Sequence, residues 1–169
     1  MSTTCIDVRH PSPERTEVWL NRPEVRNAFN DAMIAQLTQA FAQIARDERV
    51  RVVLLAAHGK AFCAGADLKG RKDNIKGPGD MQAHSRRTRE CFHAIRECAK
   101  PVVVAINGAS LGSGLAMVAS ADIIVASEKA TLGLPEVDVG LLGGCGLLRA
   151  FFGIGGTSSR RWKWLSIRQ

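Results

Sequence analysis

Two apolar runs constrain this chain most, because each leads into a patch of mostly small residues. VRVVLLAA (50–57) is followed by AFCAGADLK (61–69), and PVVVAIN (101–107) by GASLGSGLA (108–116). Runs of Val, Ile and Leu without polar alternation read as strands buried on both faces, the pattern of a parallel sheet. DIIVAS (122–127) is a third such run. Parallel neighbours cannot be joined by tight turns and need crossovers, usually helical. Two helices fit that need. Asn30 is a natural N-cap, and Met33, Ile34, Leu37, Phe41 and Ile44 recur at helical spacing, predicting a helix from 30 to about 46. A second runs from about 80 to 98 and closes before Lys100-Pro101, since a residue preceding proline avoids helical geometry. Strands alternating with helices predict an α/β fold with crossovers.

The rest of the chain fills in around this frame. CIDVRH and TEVWLN flank Pro-Ser-Pro-Glu and read as a hairpin. LNRPEVRNAFN is an irregular connection in which Pro23 ends the strand, and residues 70–80 (GRKDNIKGPGD) form a Gly/Pro-rich loop. At 169 residues the chain is long enough for one domain with a real core. The division expected is a core over 1–145 and a basic tail of different character over 146–169, ending in FFGIGGTSSRRWKWLSIRQ. The tail reads as a surface segment without a core role, or as an altered C-terminus.

The small patches carry the first chemical argument. Backbone N–H groups at the start of a helix lack intrahelical partners and attract negative oxygen. Small residues let a ligand reach them. Two such turns on neighbouring strands can aim one N–H each at a single carbonyl oxygen and stabilise the oxyanion or enolate formed beside it. Close packing of strand against helix is the alternative reason for small residues. Phosphate loops do not fit, because GxxxxGK[ST] is absent and GASLGSG is not GxGxxG.

Proton transfer needs a base. Glu136, in LGLPEVD, follows Pro135 in an apolar neighbourhood, where desolvation raises a carboxylate pKa toward the useful range. Asp138 lies two residues on and faces the same way if the segment is extended. Both also read as ordinary loop acids. Asp122, at the head of IIVAS, reads as structural, and His10, His58, His84 and His93 are too scattered to form a triad.

Composition excludes several classes. The net charge of +7 suggests nucleic acid, but Arg149, Arg160, Arg161, Lys163 and Arg168 all follow the last acid, Asp138. The excess therefore belongs mostly to the tail, and with no Tyr and no RNA-binding aromatic motif no nucleic-acid partner is expected. Five cysteines, an odd number without a CxxC pair, argue against a disulfide framework or zinc site and for free thiols in a reducing compartment. No apolar stretch is long enough for a bilayer span, and MSTTCIDVRH lacks the pattern of a secretory signal, so the expected location is cytoplasmic, with no membrane partner.

LNRPEVRNAFN, AFCAGADLK, KPVVVAINGASLGSGLAMVASADIIVAS and ATLGLPEVDVGLLGG, in this order, resemble the enoyl-CoA hydratase/isomerase (crotonase) superfamily over residues from about 16 to 145. The resemblance implies a crotonase-like (ClpP/crotonase) spiral of ββα units that binds an acyl-CoA thioester. It implies an oxyanion hole made by the N–H groups of Ala66 and Ser113, where the family usually has Gly at the second position. It implies that Ala64, Ala66, Asp67, Leu68, Lys69 and Ser113 line the CoA and acyl path, with Arg26 and Ala28 near the nucleotide end. Coenzyme A enters with the substrate, so neither a separate cofactor nor a metal is implied, and the assembly implied is a homotrimer or hexamer. Hydratases of the family use two glutamates. The second matches Glu136, while the first position is Ala116 here. That pattern weakens hydration and leaves isomerisation, or another enolate reaction with Asp138 taking part, within acyl-CoA catabolism. A non-catalytic, truncated CoA-binding chain is the competing reading.

Overall fold

The computed structural model describes residues 4–70, 76–135 and 163–167. Strands β1 (Ile6–Ser12) and β2 (Arg15–Leu20) form the expected antiparallel hairpin, Val8 opposite Val18. A single 3-10 turn, Pro23–Val25, opens the irregular connection. Helix α1 (Asp31–Arg46) begins where expected, the Asn30 side chain accepting the Met33 N–H at 2.9 Å. It buries Met33, Ile34, Leu37, Phe41 and Ile44, the predicted stripe. Each fully buried Leu or Phe contributes roughly 1.5–3 kcal/mol.

From here the chain repeats one unit. A long strand, β3 (Val52–Ala57), is followed by a short one, β4 (Ala61–Cys63), and then by helix α2 (Pro78–Arg96). The second unit is β5 (Val102–Ile106), β6 (Ala109–Leu111) and helix α3 (Ser113–Ala119). The third opens with β7 (Ile123–Ser127) and β8 (Leu132–Gly133). Helix α2 starts two residues earlier than its apolar pattern predicts, because Pro78 suits a first helical turn, where its missing N–H costs nothing.

The long strands form one sheet in the order β1-β2-β3-β5-β7-β9, with β9 spanning Lys163–Ile167. All pairings after the hairpin are parallel. The short strands form a second parallel sheet in the order β4-β6-β8. The fold is therefore a spiral of ββα units. Within the segment expected as the tail, Lys163–Ile167 pairs with β7 as the edge strand of the large sheet.

One face of the large sheet, carrying Val18, Leu20, Val53, Leu55, Val102, Val104, Ile106 and Ile124, joins the buried stripe of α1 and Cys91 and Ile95 of α2 in a single core. Asp122 proves structural: its carboxylate accepts the Val102 N–H at 2.9 Å while its own N–H donates to the Val102 carbonyl. This exchange sets the register of β5 against β7.

Candidate active site

Parallel pairing puts the C-terminal ends of β4, β6 and β8 along one edge of the small sheet. Beyond β4 lies Ala64–Asp67, beyond β6 lie Gly112 and Ser113, and beyond β8 lies Leu134-Pro135. The two small-residue patches are thus neighbours. An added Cβ on Gly65 would come within 3.2 Å of the Leu111 carbonyl oxygen, and one on Gly114 within 2.6 Å of the Cys63 carbonyl oxygen. Gly65 also has φ +99°, which disfavours any side chain. Close packing, one of the two readings of the small residues, holds at both turns.

That packing leaves backbone donors available. Phe29 forms a parallel bridge to Ala66, its N–H donating to the Gly65 carbonyl at 2.8 Å and its carbonyl accepting the Asp67 N–H at 3.0 Å. In such a bridge both bonds of one residue straddle the other, so the N–H and carbonyl of Ala66 point away from Phe29. The flank opposite Phe29 is the one on which β6 lies, with Ser113 two residues beyond its end. Ser113 is the first residue of α3, where an N–H has no intrahelical acceptor. Neither the Ala66 nor the Ser113 N–H has an acceptor among the described residues.

The RNAF segment is stitched onto the same edge. Ala64 donates to the Arg26 carbonyl at 3.0 Å, which brings Arg26 and Ala28 beside Ala64–Asp67. The Arg26 side chain is exposed, as are those of Leu68 and Lys69. Asp67 is engaged internally: its carboxylate takes the Gly70 N–H at 3.2 Å and the Arg22 guanidinium at 3.1 Å, and these two contacts hold its pKa below the usual carboxylate value. Cys63, beneath the turn, is fully buried, and that burial pushes its thiol up to about 11, so it is no nucleophile at neutral pH.

Ala116 sits on α3 one turn after Gly112. With Leu115 it forms a small apolar cluster against which Phe92 of α2 and Leu134 pack, and Phe92 stacks on Phe29 at 5.6 Å. Glu136 and Asp138 lie outside the described residues. His10, His58 and His84 are engaged with Thr16, Asp7 and Asp31 respectively. No group of three His, Cys, Asp or Glu among the described residues could hold a metal ion.

The model of the enoyl-CoA hydratase/isomerase family matches residues 16–161. The chain belongs to that family. It is 36% identical over 129 residues to the 1,2-epoxyphenylacetyl-CoA isomerase of Escherichia coli, a match covering 75% of this chain and 49% of the relative. To the mitochondrial Delta(3,5)-Delta(2,4)-dienoyl-CoA isomerase of Rattus norvegicus it is 35% identical over 153 residues, covering 85% of this chain and 47% of that one. Among solved structures, an enoyl-CoA hydratase from Mycobacterium smegmatis superposes with TM-score 0.84 at 31% identity, over 91% of this chain and 60% of that chain. One from Bacillus anthracis does so with TM-score 0.81, also at 31% identity, over 90% and 60%. The fold is the crotonase fold, and the chain spans about half the length of these curated relatives.

Within this member of the enoyl-CoA hydratase/isomerase family, two residues matter that periodicity could not find. Asn27 is fully buried with φ +55°. Its amide donates to the His58 and Ala61 carbonyls at 2.8 and 3.0 Å, and its oxygen accepts the Arg22 N–H at 2.8 Å. Arg22 reaches both Ala28 and Asp67. Their only sequence signal is two polar residues flanking a Pro-containing connection between apolar elements. No helix among the described residues is long and apolar enough to cross a membrane.

Proposed function

We propose that this chain binds an acyl-CoA thioester and stabilises its enolate between the N–H groups of Ala66 and Ser113. The observation that carries this reading is the pair of N–H groups on adjacent strand ends that have no acceptor among the described residues, next to an apolar cluster. In the proposed reaction Glu136 removes a proton from the carbon next to the thioester carbonyl. The C–H electron pair moves into the carbon–carbon bond, and the carbonyl π pair moves onto oxygen, which the two N–H groups hold. The same carboxylic acid returns the proton at the γ carbon, converting a 3-enoyl into a 2-enoyl thioester. Donors placed where charge develops contribute more in a dry site than in water, and losing one typically costs about 10²–10³ in rate.

Ala116 favours isomerisation over hydration within this reading. Adding water across a double bond calls for groups that hold and deprotonate that water, and among the described residues Ala116 packs with the apolar side chains of Leu115, Phe92 and Leu134. No cofactor beyond the coenzyme A carried by the substrate is required. The proposed setting is acyl-CoA catabolism in the cytoplasm, in line with buried cysteines outside any disulfide at Cys63 and Cys91. The proposed assembly is a homotrimer or hexamer, which light scattering tests directly.

The deciding assay follows products from short and medium 2-enoyl and 3-enoyl CoA esters. The expected result is isomerisation of 3-enoyl esters, with little hydration, lost on Glu136→Gln. Unchanged turnover by that variant refutes Glu136 as the base. A chain that binds CoA esters tightly but turns over none supports the second reading, a non-catalytic CoA-binding protein, which Ala116 also favours.

A further inference from the structure

We infer that Arg22 and Asp67 form a positioning pair that fixes the direction of the Ala66 N–H, rather than contacts for the CoA moiety. The inference rests on the oxyanion reading above. Its basis is a closed ring of bonds around the Phe29–Ala66 bridge. Arg22 Nη1 donates to the Ala28 carbonyl at 2.6 Å and to Asp67 Oδ2 at 3.1 Å. Ala28 precedes Phe29, Phe29 accepts the Asp67 N–H, and Asp67 follows Ala66. One guanidinium nitrogen therefore ties together the two segments that meet in the Phe29–Ala66 bridge.

The other ends of the ring are anchored as well. The Arg22 backbone N–H is held by Asn27, and Asp67 Oδ1 takes the Gly70 N–H as the chain turns helical over 68–70. Both side chains of the pair are mostly shielded, at 15% and 17% exposure. An arginine in this position already spends its charge on an internal carboxylate, and that carboxylate has little left to offer a ligand. Gly65, just before Ala66, has φ +99°, a conformation that L side chains rarely adopt. The Phe29 bridge holds this turn from one side, and the ion pair ties the segments on either side of that bridge together. A misplacement of about 1 Å at a reacting group costs on the order of 10²-fold in rate.

The test uses Asp67→Asn and Arg22→Lys, which keep size or charge while breaking the fork. The readout is the carbonyl stretch of bound crotonyl-CoA labelled with carbon-13 at the thioester, together with the affinities for crotonyl-CoA and free CoA. In the parent the stretch falls below its solution frequency. In both variants the expected stretch moves back toward solution, free-CoA affinity stays within about twofold, and any kcat drops about 10- to 100-fold with little change in KM. An unshifted stretch in folded variants overturns the proposal and leaves the pair a stability device only. Equal losses of free-CoA and crotonyl-CoA affinity overturn it in favour of direct CoA contact. A parent that binds the ester without lowering its stretch refutes the oxyanion reading itself.

Discussion

Gly114→Ala is the most informative single change, because its sign opposes ordinary helix chemistry. In an exposed helix Ala is better than Gly by roughly 0.5–1 kcal/mol. At Gly114 the added Cβ would lie 2.6 Å from the Cys63 carbonyl oxygen and 2.8 Å from the Cys63 Cβ. Ordinary C···O contacts sit near 3.3 Å, so α3 and β4 must part by about 0.7 Å. Backbone faces backbone here, and no flexible side chain can yield. Overpacking of this kind costs about 1–3 kcal/mol, which the gain in propensity only partly offsets. A net loss of about 1–2 kcal/mol lowers Tm by roughly 2–8 °C in a chain of this size. The same movement carries the Ser113 N–H away from that of Ala66, for a further loss of about 10- to 100-fold in enolate chemistry. Thermal unfolding and the thioester carbonyl stretch check both parts. Gly79→Ala is the control, since nothing lies within 4 Å of its added Cβ and it sits in the first turn of α2. It is expected to stabilise by about 0.5–1 kcal/mol. A Gly114→Ala protein as stable as the parent refutes the idea that this contact sets the spacing of the two donors.

Ser113→Pro removes one donor at a first-turn position that tolerates proline, so the fold is expected to survive while enolate chemistry falls about 10²–10³-fold; Ser113→Ala, which keeps the N–H, is expected to cost less than about tenfold. Asn27→Ala strips partners from the His58 and Ala61 carbonyls and the Arg22 N–H, and urea titration is expected to register a loss of about 2–4 kcal/mol. The lowered pKa of Asp67 stabilises the fold above the unfolded carboxylate value of about 3.9 and that contribution is lost as pH falls through the folded value; acid unfolding of Asp67→Asn is expected to show a shallower pH dependence. Burial holds Cys63 near 11 and Cys91 near 12, so neither is expected to react with a disulfide reagent at pH 8 until the chain is unfolded.

Much of the frame was legible because its elements are periodic or continuous. The α1 stripe from Met33 to Ile44, its Asn30 cap and the runs that became β3, β5 and β7 stand where pattern and capping chemistry put them. The short strands were not legible. Ala109–Leu111 and Leu132–Gly133 are too brief and too small to carry a period, and only pairing with their neighbours makes them strands. The ion pair of Asp67 was not legible for a related reason. Its ion partner, Arg22, lies 45 residues away, and no local signal connects the two.

By itself the sequence determined that the chain is α/β, that two buried strands end in turns of small residues, and that Ala stands at 116, where the family resemblance implies a glutamate to accompany Glu136. Those properties are written in residue type and spacing, which act over a few neighbours. Only the tertiary structure decided that the two turns lie side by side, that their glycines are required by contacts of backbone on backbone, and that the Ala66 and Ser113 N–H groups are both left without acceptors among the described residues. The physical reason is that a donor's availability depends on every group around it. The groups that matter here, Phe29, Arg22 and the ends of β4 and β6, come from distant parts of the chain and meet only once the sheets have formed.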